Sequence, residues 1–149
     1  MRTAGEIIAD LRSFHGGSDQ TFFFDRIAEE IENHPAALQL INEILQLFER
    51  FPDYDFGTPG PLAHAIERFY RQGYEQELQR SLRRKPTCLT IWLANRIINL
   101  RDDNASILID LLQELANRND LPDSVRKSAQ YFASRQALGE LDYLGLGHF

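Results

Sequence analysis

Two aspartates flank a tyrosine at Asp53-Tyr54-Asp55, and Phe56 follows directly. Phe51 and Pro52 precede the group, and Gly57, Thr58, Pro59, Gly60 and Pro61 follow it. Carboxylates beside an aromatic ring on a stiff turn can form a protein-docking patch. The ring fills a pocket on the partner, and the carboxylates hold its cations. The same residues also fit a structural corner, with Phe56 in the core and Asp55 capping the next helix. Oxygen ligands are too few and too irregularly spaced for calcium.

A second group is the basic run Arg80, Arg83, Arg84 and Lys85, ahead of Pro86. It can take phosphate or an acidic partner, or it can complement the negative end of its own helix and neighbouring acidic helices. Trp92, Asn95, Arg96 and Asn99 form a third group, on or near one helical face. A buried Arg96 would require a carboxylate, and Asp53 or Asp55 is the expected supplier. The candidate partner-binding residues are therefore Asp53, Tyr54, Asp55, Arg84 and Arg96.

Catalytic patterns are missing from the sequence. His64 has no histidine four residues on, so no HExxH zinc pattern forms, and His15, His34 and His148 fall in breaks or the tail. Cys88, at a helix start with no histidine paired to it, reads as a small buried hydrophobe. There is no GxSxG, no phosphate-binding loop and no cysteine pair. Glu29-Glu30 reads as a solvated helix face. The expectation is no catalytic residues, no metal and no cofactor, with a small enzyme assembled from distant positions as the third reading.

The elements that must position these groups are helical. Apolar residues recur at i, i+3, i+4 and i+7 almost throughout, and no strand-like alternation competes. A first helix spans about Thr3–Phe14, with Ile7, Ile8 and Leu11 inward. Ser18 or Asp19 caps a second, which buries Phe24, Ile27, Ala28 and Ile31. The third, about Pro35–Phe51, is apolar on two sides: Leu38, Ile41, Leu45 and Phe48 on one, Leu40, Ile44, Leu47 and Phe51 on the other. It should lie between neighbours. A fourth starts at Pro59 or Pro61 and runs to Gly73, through Leu62, Ile66, Phe69 and Tyr70. Tyr74, Leu78 and Leu82 mark a fifth; Leu89, Trp92, Leu93, Ile97 and Leu100 a sixth; Leu108, Leu111, Leu112 and Leu115 a seventh. The eighth begins near Pro122 and buries Val125, Ala129, Phe132 and Ala133. Paired as 22–51, 62–82 and 89–115, the helices have the length of solenoid repeats. The expected fold is all-α, about eight helices in antiparallel pairs, as a HEAT-like array or an irregular bundle. One domain covers 1–138, and a glycine-rich tail, 139–149, is loosely held.

The chain has 149 residues, 43% hydrophobic and 26% charged, enough for a real core without staples. The single cysteine permits no internal disulfide and fits a reducing, cytoplasmic setting. Glu6 and Asp10 interrupt any signal-peptide run, and no apolar stretch is long enough to span a membrane. The net charge of −6 is uneven: −7 over 1–60, +5 over 61–101 and −4 over 102–149. That balance disfavours nucleic acid and suits a basic protein partner.

Two resemblances follow. Leu121-Pro122-Asp123-Ser124-Val125-Arg126-Lys127-Ser128-Ala129 resembles the turn of a HEAT repeat, with Arg126 pairing a turn carboxylate. Asp55-Phe56-Gly57-Thr58-Pro59-Gly60-Pro61-Leu62, then Arg84-Lys85-Pro86-Thr87, then Trp92 with Asn95-Arg96, resemble in their order the small bacterial immunity proteins of polymorphic and contact-dependent toxin systems. That second resemblance, over 55–99, implies a cytoplasmic, cofactor-free protein that binds and neutralises a cognate toxin domain; the acidic N-terminal half suits a basic one. The alternative is a HEAT-like adaptor for an unrelated protein or peptide.

Overall fold

A capping box opens the first helix, α1 (Ala4–Ser13). The Thr3 hydroxyl accepts from the Glu6 N–H at 3.2 Å, and the Glu6 carboxylate accepts from the Thr3 N–H at 3.4 Å. In the computed structural model, which describes residues 1–17 and 20–143, seven more helices follow: α2 (Thr21–Ile31), α3 (Ala37–Arg50), α4 (Pro61–Glu67), α5 (Tyr74–Arg84), α6 (Cys88–Ile98), α7 (Asp103–Ala116) and α8 (Asp123–Tyr143). No strand occurs among the described residues. The fold is all-α.

The chain divides into two compact units, the first from Met1 to Lys85 and the second from Pro86 onward. In the first, the most extensive packing joins alternate helices: α3 with α1 and with α5, and α2 with α4. This explains the two-sided burial of α3, where Leu40, Ile41, Ile44, Leu45, Leu47 and Phe48 are all inaccessible. Leu38, expected on the same face, is exposed, and Phe51 is half-buried. Fully burying each such side chain contributes about 1.5–3 kcal/mol, so α3 is the spine of this unit.

Charged pairs tie the helices around α3. Arg2 grips Glu30 through two bonds of 2.7 and 2.6 Å and also bonds Asp10, joining the N-terminus to α2. Those bonds raise the Arg2 pKa and hold the Glu30 carboxyl below the usual range. Arg12 bonds the buried Glu43 at 2.6 Å, and Asn42 donates to Glu77 at 2.8 Å.

Three element boundaries depart from the sequence reading. Gln20, whose side chain makes no capping hydrogen bond to the helix, occupies the position before α2; Ser18 and Asp19, the expected caps, lie outside the described residues. α4 ends at Glu67 rather than Gly73. Glu75, only 3% exposed, reaches back from α5 and accepts the N–H groups of Arg71 at 2.8 Å and Gly73 at 3.2 Å. With Arg71 at φ 67° and Gly73 at φ 114°, the chain turns there instead of continuing helically. Finally, α8 runs through Gly139 to Tyr143, beyond the expected end at 138. Residues 144–149 of the expected tail lie outside the described residues.

In the second unit α6, α7 and α8 pack against one another. Thr87 and Thr90 form the capping box of α6, and Asp102 caps α7 by accepting from the Asn104 N–H at 3.0 Å. Arg126 bonds Asp123 at 2.8 Å, the turn pairing read from the sequence.

Candidate functional site

Within the loop between α3 and α4, Tyr54 is half-buried. Its hydroxyl donates to the Gly17 carbonyl at 2.9 Å. Its ring meets Phe14 edge-on at 5.0 Å, Phe56 at 4.9 Å and Phe24 at 6.1 Å between centroids. Phe56 is 5% exposed and packs on Phe48 at 4.8 Å, so it belongs to the core. The Asp55 carboxylate accepts from the Gly57 N–H at 2.9 Å, an Asx turn that holds the corner. Asp55 therefore caps its own turn and not α4, whose N-cap is Gly60. A Cβ on Gly60 would sit 1.8 Å from the Phe56 carbonyl oxygen, so only glycine fits this close crossing. Asp53 stays exposed.

Arg84 donates to Glu49 through a bidentate pair at 2.8 and 2.6 Å, and the inaccessible Ser81 hydroxyl donates to the same carboxylate at 2.8 Å. The hydrogen bonds to Glu49 raise the Arg84 pKa. This is the structural alternative read for the basic run: the cation meets an acidic neighbouring helix.

Arg96 is exposed, so the premise of a buried guanidinium fails. Its charge lies over the Trp92 ring, 4.8 Å from the centroid. Trp92 is half-buried rather than core. The buried Gln136 of α8 donates to the side-chain oxygens of Asn95 and, at 2.9 Å, Asn99. Cys88 is exposed, not a buried hydrophobe, because it sits at the outer start of α6.

The feature that sequence reasoning missed lies between α2 and α4. An open groove of about 350 Å³ is lined by Asp25, Ala28, Glu29 and Glu32 on α2 and by Pro61, His64, Ala65 and Arg68 from α4. The small side chains of Ala28 and Ala65 leave the space between the helices. Arg68 pairs with Glu32 at 3.3 Å, and His64 lies 3.8 Å from Glu67. Asp25 and Glu29, both exposed, have no side-chain partner among the described residues. They sit at i and i+4, where like charges repel by about 0.2–0.5 kcal/mol. Adjacent residues divide sharply: Glu30 turns to Arg2, while Glu29 opens into the groove. Phe22, 90% exposed, stands three residues before Asp25 on the same helical stripe. The signal available in the sequence was that stripe, Phe22–Asp25–Glu29–Glu32, opposite the buried Phe24, Ile27 and Ile31.

Among the described residues no helix is long and apolar enough to cross a membrane, and no group of three or more His, Cys, Asp or Glu could hold a metal ion. No family model, curated protein or solved structure matches the chain significantly.

Proposed function

We propose that this chain is a non-enzymatic protein-binding module, an immunity protein of a bacterial toxin system that neutralises a basic toxin domain in the cytoplasm. One observation carries the reading: the carboxylates of Asp25 and Glu29, exposed and without a side-chain partner among the described residues, wall an open groove on the most acidic part of the chain. An acidic face speeds encounter with a basic partner and selects against acidic ones. The buried carboxylates Glu43, Glu49 and Glu75 are already held by arginine or backbone N–H groups, a structural use and not a reactive one. Asp53, on the loop that leads to Pro61, is a further exposed carboxylate of the same acidic segment.

A HEAT-like adaptor is the second reading, favoured by the packing of α6 on α7, one of the expected helix pairs, and by the Arg126–Asp123 pair at the start of α8. Co-expression separates the two. The product of a neighbouring reading frame should arrest growth alone and lose that effect with this chain present. No arrest, or arrest that this chain does not relieve, contradicts the immunity reading.

A further inference from the structure

We infer that the α2–α4 groove, together with the exposed Phe22 on the same stripe of α2, docks a basic amphipathic segment of a protein partner: an apolar socket receives the Phe22 ring, and an arginine or lysine enters between Asp25 and Glu29. This rests on the binding-module reading and specifies its contact chemistry. The partner's character follows from charge complementarity. Two carboxylates one helical turn apart, without side-chain partners among the described residues, repel each other, and a cation placed between them relieves that repulsion while keeping most of its hydration in an open groove. The floor of Ala28, Ala65 and Pro61 suits the aliphatic stem of a long basic side chain. Among the described residues no group of three or more His, Cys, Asp or Glu could hold a metal ion, and the acidic wall disfavours a nucleic-acid backbone. Phe22 supplies what charge alone lacks. Its neighbours Phe23 and Phe24 turn inward, to stack near Phe14, while its own ring stays in solvent. Aromatic anchors flanked by rim charges are the usual composition of an interface centre.

The test is an NMR titration of the intact ¹⁵N-labelled chain with a synthetic helical peptide of leucine and arginine. A leucine–glutamine peptide is the control. Amide shifts should concentrate on Phe22, Asp25, Glu29, Ala65 and Arg68, and the control should leave them unmoved. Asp25→Asn with Glu29→Gln should weaken binding about tenfold, and Phe22→Ala by a comparable factor. These exposed positions leave the core intact, so the variants keep the wild-type spectrum elsewhere. Shifts spread over all acidic helices, or variants that bind as wild type does, overturn the proposal. So do shifts that grow with protein concentration alone, because they assign the face to a second copy of the chain. The two proposals fail separately. A toxin neutralised equally by the double variant removes the groove and leaves the immunity reading standing. A peptide that binds as described beside a growth assay showing no protection does the reverse.

Discussion

Replacing Tyr54 by phenylalanine asks whether the loop is a corner or an anchor. The substitution removes one neutral hydrogen bond, from the hydroxyl to the Gly17 carbonyl at 2.9 Å, and leaves the ring in place. Such a bond contributes about 0.5–1.5 kcal/mol net. Replacing Tyr54 by alanine also removes ring contacts to Phe14, Phe24 and Phe56. Full deletion of a buried aromatic costs about 3–5 kcal/mol, so a half-buried one should cost roughly 2–3. With a urea dependence of about 2 kcal/mol per molar, the midpoint should fall by about 0.5 M for Tyr54→Phe and about 1–1.5 M for Tyr54→Ala. Far-UV circular dichroism is the right probe, because Trp92, the one tryptophan, belongs to the other unit. Midpoints within about 0.2 M of wild type for both variants would refute the structural role. Tyr54 would then be a ring held for a partner.

Two further predictions concern paired charges. At the Glu49 site the carboxylate is 8% exposed and the Arg84 side chain 40%, so the two partners are not equivalent. Arg84→Ala strands a buried carboxylate and should cost about 3 kcal/mol, whereas Glu49→Gln leaves a guanidinium that reaches water and should cost about 1; equal or reversed losses in urea unfolding would contradict that geometry. At Glu30 the hydrogen bonds from Arg2 hold the folded pKa below the unfolded value of about 4.3. The unfolded chain therefore binds more protons just below that pH, and stability rises with pH there. The contribution is complete above the unfolded pKa and is lost as pH falls through the folded one. Glu30→Gln should flatten that acidic limb of the stability curve, and an unchanged limb would exclude the Arg2 pairing.

Helices were legible wherever a core stripe recurred, as at Ile7–Leu11, Tyr74–Leu82 and Leu108–Leu115. The stop of α4 was not, because it depends on a carboxylate from the next helix capturing two amides. Phe56 as core and Arg84 as a partner of an acidic helix were both among the alternatives the sequence left open, and spacing alone could not choose between them. The groove was hidden for a different reason. Asp25 and Glu29 follow the ordinary rule for a solvated face, and only the small residues Ala28 and Ala65, brought together by α2–α4 packing, turn that face into a concavity. Arg96 misled in the opposite sense, because half-burial of Trp92 keeps the guanidinium at the surface.

Carboxylate footprinting of the intact chain, free and in complex with the protein partner that the co-expression assay identifies, tests the central claim most directly. In the free chain Asp25, Glu29 and Asp110 are all exposed and should label with carbodiimide and an amine. In the complex Asp25 and Glu29 should be shielded while Asp110 keeps its labelling. Full labelling of Asp25 and Glu29 in the complex would contradict a partner seated on the α2–α4 groove.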